Sequence, residues 1–96
     1  MNNLLNIKKQ LQLIKPSLIA KYNVTELGLF GSVVRNDFTP DSDIDIVVDF
    51  SKPIGIEFIN LADELESRLK RKVDLVSKKG MKAQYFDSIR SEIIYV

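Results

Sequence analysis

From Asp43 to Phe50 the chain alternates with a period of two. Ile44, Ile46 and Val48 fall on one side of an extended strand, and Asp43, Asp45, Val47 and Asp49 fall on the other. A 3.6-residue helix would scatter these residues around its circumference, so the segment is a strand. Its β-branched side has to be covered by other apolar elements, which requires a layered fold with helices packed on a sheet.

The rest of the chain supplies those layers. Leu4, Ile7, Leu11, Ile14 and Leu18 recur at steps of three and four and predict a helix over residues 3–22. Pro16 interrupts it, so a kink or a break into two shorter helices is expected there. Asn23 suits the left-handed residue that ends a helix. Residues 24–30 read as a second, densely apolar strand closed by Gly31. Ser32 to Arg35 suits the first turn of a helix, with Asn36 tolerating positive φ. Thr39-Pro40-Asp41-Ser42 is turn chemistry. A helix over 56–70 buries Phe58, Leu61, Ala62, Leu65 and Leu69, with Glu64–Arg68 and Glu66–Lys70 as i,i+4 pairs on its wet side. Residues 73–77 make a third strand, 82–90 a helix, and Glu92-Ile93-Ile94-Tyr95-Val96 a short apolar tail. The order α-β-β-α-β-α predicts an α/β (α+β) fold, a small mixed sheet flanked by helices, in one domain over residues 1–96.

The polar side of the Asp43–Phe50 strand carries chemistry. Asp43 and Asp45 lie on the same face about 6.5 to 7 Å apart at Cα. Neighbouring carboxylates repel, and a dication reverses that sign, so the pair suits one ion or two. Alternation on a half-solvated strand also puts polar residues outside with no function, and Asp-x-Asp alone does not separate the two readings. Asp74 does: it sits in a strand otherwise made of Val73, Leu75 and Val76, where aspartate is unfavourable. If that strand pairs beside Asp43–Val48, all three carboxylates face one site. Asp43, Asp45 and Asp74 are therefore the expected metal ligands, and Asp49 a solvated strand-end residue.

Gly31-Ser32 follows a strand, where glycine permits close backbone approach and free N–H groups favour an anion. An ordinary turn and cap has the same sequence. The Gly-Lys-Ser/Thr ending of a P-loop is missing. Arg35 can reach a phosphate or pair with Asp37 or Asp41. A phosphate site beside a metal site points to a nucleotide.

Composition closes other routes. Among 96 residues there is no cysteine and no histidine. A disulfide framework, a thiolate zinc site, a cysteine nucleophile and a histidine base are thereby excluded. Any metal is held by oxygen, which selects Mg2+ or Mn2+. With 14 basic and 13 acidic residues the net charge is +1, so no direct nucleic-acid binding is expected. Lys70-Arg71-Lys72 and Lys78, Lys79 and Lys82 read as a solvated rim. No apolar run is long enough for a membrane span or a signal core, which makes the cytoplasm the expected compartment.

The combination Phe30-Gly31-Ser32-Val33-Val34-Arg35, Pro40-Asp41-Ser42-Asp43-Ile44-Asp45 and Lys72-Val73-Asp74-Leu75-Val76 resembles the nucleotidyltransferase fold of the DNA polymerase beta superfamily. Within it, nearly the whole chain resembles the minimal nucleotidyltransferase (MNT) antitoxins of prokaryotes, which act beside HEPN-domain toxins. Asn36 departs from the glycine of many relatives. The resemblance implies transfer of AMP from ATP to a hydroxyl, a tyrosine of a partner HEPN toxin that is an RNase, in a hetero-oligomer with that toxin. It further implies two Mg2+ ions on Asp43 and Asp45, with Asp74 on the nucleophile's side, and phosphates gripped by Gly31 and Ser32. A small-molecule acceptor and a non-catalytic antitoxin are the alternatives. No residues remain for an acceptor domain, so the tail at 93–96 and the stripe around Leu4 and Leu11 are candidate docking surfaces, with core edge as their other reading.

Overall fold

In the computed structural model, which describes residues 3–35 and 37–96, the alternating segment forms an inner strand of a four-stranded mixed sheet. Helix α1 (Asn3–Tyr22) leads into β1 (Val24–Phe30), then β2 (Ile44–Phe50), α2 (Glu57–Leu69), β3 (Val73–Ser77), α3 (Ala83–Ile89) and β4 (Ile94–Tyr95). The strand order is β3-β2-β1-β4. β1 runs antiparallel to β2 and β4, and β2 runs parallel to β3 through the α2 crossover.

The two sides of the sheet have different cover. Leu27 and Leu29 of β1 and Ile44, Ile46 and Val48 of β2 pack against Ile7, Leu11 and Leu18 of α1 and Leu61, Leu65 and Leu69 of α2. This is the main core, and it follows the predicted stripes of both helices. On the opposite face Phe30, Val47 and Ile89 form a smaller cluster with Val76, Met81 and Ile93. Helix α3 supplies Ile89 but spans only seven residues, so this face is only partly roofed.

Several local expectations come out differently. Pro16 does not break α1, which runs unbroken through 20 residues. Pro16 and Gln12, whose carbonyl loses its N–H partner to the proline, both lie on the exposed side of the helix. Asn23 ends α1 with φ 59° as anticipated, and Lys70 at φ 56° ends α2 in the same way. The expectation for Asn36 lies outside the described residues. Neither predicted i,i+4 pair on α2 forms as an ion pair. Glu64 instead accepts hydrogen bonds from Lys21 (3.1 Å) and Tyr22 (2.9 Å) of α1, and Glu66 accepts the Val73 N–H (3.0 Å). These carboxylates tie α2 to its neighbours, which sequence spacing does not register.

The tail is structure as well. Tyr95 pairs with Gly28 and Ile94 with Leu29, adding a fourth strand absent from the predicted order. The Val96 N–H bonds the Leu27 carbonyl at 2.9 Å, and Lys15 Nζ donates to the Val96 carbonyl at 2.6 Å. A Cβ on Gly28 would stand 2.7 Å from Ile93 Cγ2, so the closeness of the tail to β1 depends on that glycine. Leu11 is fully buried and Leu4 half-buried, which makes that stripe core rather than docking surface. Among the described residues no helix is long and apolar enough to cross a membrane.

Candidate active site

Register decides which side chains meet. Asp45 stands opposite Phe30 of β1 on one side and Asp74 of β3 on the other. Directly opposed residues point to the same face of a sheet. The row Phe30–Asp45–Asp74 therefore lies on the thinly covered face, one step along from Gly28–Val47–Val76. Asp43 precedes β2 by one residue and is exposed on the same side, as is Asp74. The three predicted carboxylates come together, from a strand pairing that the sequence could only make conditional.

Their electrostatics follow from that proximity. Asp45 is half-buried, and its carboxyl is pushed up from 3.8 to about 6, first by burial and then by the charges of Asp74 and Asp43. The Arg35 guanidinium pulls the other way. Asp45 and Asp74 approach within hydrogen-bond reach, although among the described residues no group of three His, Cys, Asp or Glu side chains stands as a ready-made ion cage. The donor set, three aspartates without nitrogen or sulfur, fits a hard divalent ion of the Mg2+ type.

Gly31 begins a single 3-10 turn, Gly31–Val33, where a helix was expected. The turn closes by the Val34 and Arg35 N–H groups donating to the Gly31 carbonyl (3.0 and 3.2 Å). So short a turn has no helix dipole to offer an anion. What it offers is backbone N–H groups and the half-buried Ser32 hydroxyl. Gly31 has φ +77°, and a Cβ there would collide with the Asp45 carboxylate. The glycine is thus required twice, for its backbone conformation and to let the strand carboxylate lie against the turn.

Two residues of the neighbourhood were missed or misread. Arg71, read as solvated rim, donates to the carbonyls of Thr39 (3.0 Å) and Ser42 (2.7 Å) and lies 4.6 Å from the Phe38 ring centroid. It holds the loop that delivers Asp43. Glu92, read only as part of the tail, accepts the Gly31 N–H at 3.0 Å and pairs with Arg35 at 3.4 Å. Arg35 also reaches Asp37 at 3.5 Å, so of its anticipated partners the structure selects Asp37 and adds Glu92. Nothing local in the sequence marks either residue, because each acts across a long stretch of chain.

A mixed sheet bearing a glycine-serine turn beside carboxylates on two adjacent parallel strands is the arrangement of a nucleotidyltransferase. The nucleotidyltransferase domain family matches residues 11–96, and this chain belongs to it. It is 41% identical over 83 residues to the protein adenylyltransferase MntA of Thermococcus cleftensis, covering 85% of this chain and 84% of that protein. Among solved structures, one assigned as a minimal nucleotidyltransferase superposes with TM-score 0.81 at 28% identity, covering 96% of this chain and 94% of the other. Another is the MNT antitoxin complex with the tri-AMPylated HEPN toxin of Shewanella oneidensis. It superposes with TM-score 0.67 at 25% identity, over 99% of this chain and 71% of that one.

Proposed function

We propose that this chain is the antitoxin of an MNT–HEPN pair, transferring AMP from ATP to a tyrosine hydroxyl of its partner toxin and so silencing that toxin's RNase activity in a prokaryotic cytoplasm. The observation that carries the reading is the opposition of Asp45 and Asp74 in register, with Gly31 against Asp45. It is supported by the protein adenylyltransferase name of a 41% identical relative and by the AMPylated toxin in a structurally similar complex.

In this reading Asp43, Asp45 and Asp74 would hold two Mg2+ ions. When bound, such cations neutralise the triphosphate and make the acceptor hydroxyl easier to ionise. Gly31, without a side chain, lets the turn approach the β,γ-phosphates, and Ser32 would contact them through its N–H and hydroxyl. Asp74, exposed on the open face, would take the acceptor's proton in a chain without histidine. Arg35 contributes positive charge beside Asp45 while held by Asp37 and Glu92. The acceptor comes from another protein, a reading supported by the AMPylated toxin in the structurally similar complex.

Incubation with ATP labelled on its α-phosphate and the HEPN protein encoded beside it tests the assignment. Label on a toxin tyrosine supports it. Label on a small molecule moves the activity to another acceptor class, and neutralisation without label makes the protein a binding antitoxin. Loss of transfer in Asp43→Asn and Asp45→Asn variants that still fold is expected; transfer persisting in the double variant refutes the metal assignment.

A further inference from the structure

Glu92 does something that its place in an apolar tail gives no reason to expect. Its Oε1 accepts the N–H of Gly31, 61 residues away, and both carboxylate oxygens lie 3.4 Å from the Arg35 guanidinium. The side chain is only 25% exposed. One carboxylate therefore joins the two ends of the phosphate turn, its glycine and its arginine, to the C-terminal segment.

Two roles fit a carboxylate in that place. It could imitate a phosphate and have to leave before nucleotide enters, or it could stay and hold the turn in shape. The tethers on either side decide between them. The Glu92 N–H is bonded to the Ile89 carbonyl at 2.9 Å, which fixes the residue to the end of α3. Two residues on, Ile94 and Tyr95 are paired with Leu29 and Gly28, and Val96 is bonded to Leu27 and Lys15. The backbone is therefore fixed on both sides of Glu92, and its carboxylate is held on the turn by two partners at once, the Gly31 N–H and the Arg35 guanidinium, which favours a standing support over a gate.

The turn also needs an external support. The first N–H groups of a 3-10 turn have no partner within it. Gly31 combines one of these with a left-handed backbone, φ 77°. Glu92 takes that N–H and leaves those of Ser32 and Val33 for a ligand. Arg35 balances its charge, so the support adds little net repulsion toward a triphosphate.

We propose that Glu92 is a positioning residue for the nucleotide: fixed by β4, it holds the Gly31 N–H and the Arg35 guanidinium so that Ser32 is presented to the phosphates. The inference rests on the nucleotidyl-transfer reading for its ligand, and on geometry alone for the hydrogen bond. The full chain and its Glu92→Ala, Glu92→Gln and Glu92→Asp variants are compared by amide exchange at Gly31, by calorimetric titration with Mg·ATP, and by urea midpoint. Loss of a charge-assisted bond corresponds to about tenfold in an equilibrium constant. In Glu92→Ala the Gly31 amide should exchange about tenfold faster and Mg·ATP bind about tenfold more weakly. Glu92→Gln keeps an acceptor oxygen at the same reach and should stay within about threefold of wild type on both readouts. Glu92→Asp keeps the charge on a shorter arm and should resemble alanine, which leaves the test intact if alanine does not fold. Unchanged or tighter Mg·ATP binding in the alanine variant overturns the inference, the tighter result by making Glu92 a gate. A glutamine variant as impaired as alanine overturns it too. Wild-type protein that does not bind Mg·ATP overturns the functional reading itself, a different result from a wild type that binds and a variant that binds equally well.

Discussion

Replacing Asp45 by asparagine should make the metal-free protein more stable while abolishing its activity. The carboxyl is raised from 3.8 to about 6 by burial and by its acidic neighbours. Two units at 1.36 kcal/mol each set an upper limit of about 3 kcal/mol on the penalty for keeping it ionised in the fold. Asp45 is only half-buried, and solvent screening reduces that limit to about 1–2 kcal/mol. The sign follows from proton linkage. Near pH 6 the folded state binds a proton that the unfolded state has released, so the favourable term is complete below pH 3.8 and is lost as pH rises through about 6. Urea unfolding in EDTA, on wild type and Asp45→Asn, measures this directly. The variant should be more stable by about 1–2 kcal/mol at pH 7.5, with the gap closing toward pH 4. Adding Mg2+ at pH 7.5 should then stabilise the wild type far more than the variant, because the cation removes the repulsion that asparagine has already removed. A variant no more stable than wild type at pH 7.5, or a gap that does not depend on pH, would refute the account of Asp45 as a strained member of an acidic cluster.

Other substitutions probe the surroundings. Gly31→Ala places a side chain at φ +77° and into the Asp45 carboxylate, so it should cost at least about 1–2 kcal/mol by urea titration and eliminate AMP transfer. Arg71→Ala removes both carbonyl contacts of the loop before Asp43. Protease nicking at residues 37–42 should accelerate and transfer fall about tenfold, with the urea midpoint lowered by about 1 kcal/mol. Pro16→Ala restores an N–H donor to the Gln12 carbonyl in an unbroken helix, and should raise stability by about 1–3 kcal/mol with unchanged Mg·ATP affinity.

The sequence alone specified most of this protein, for physical reasons that are local. Period-two alternation set the faces of β2, and steps of three and four set the buried stripes of α1 and α2. Asn23 announced its own left-handed conformation. Even the candidate site was legible, because Asp-x-Asp fixes two side chains on one face by geometry, and Asp74 is conspicuous in an apolar strand. Tertiary structure decided everything that depends on which segments become neighbours. Only the parallel pairing of β2 with β3 puts Asp74 across from Asp45, and a one-residue slip would have sent its carboxyl to the far face. The tail became a strand because Gly28 left room for it. Glu64 and Glu66 left their helical partners for α1 and β3, while Arg71 and Glu92 acquired roles at distances of 29 to 61 residues. A charged side chain reaches several ångströms in any direction, so its partner is set by the packed fold and not by its neighbours in the chain.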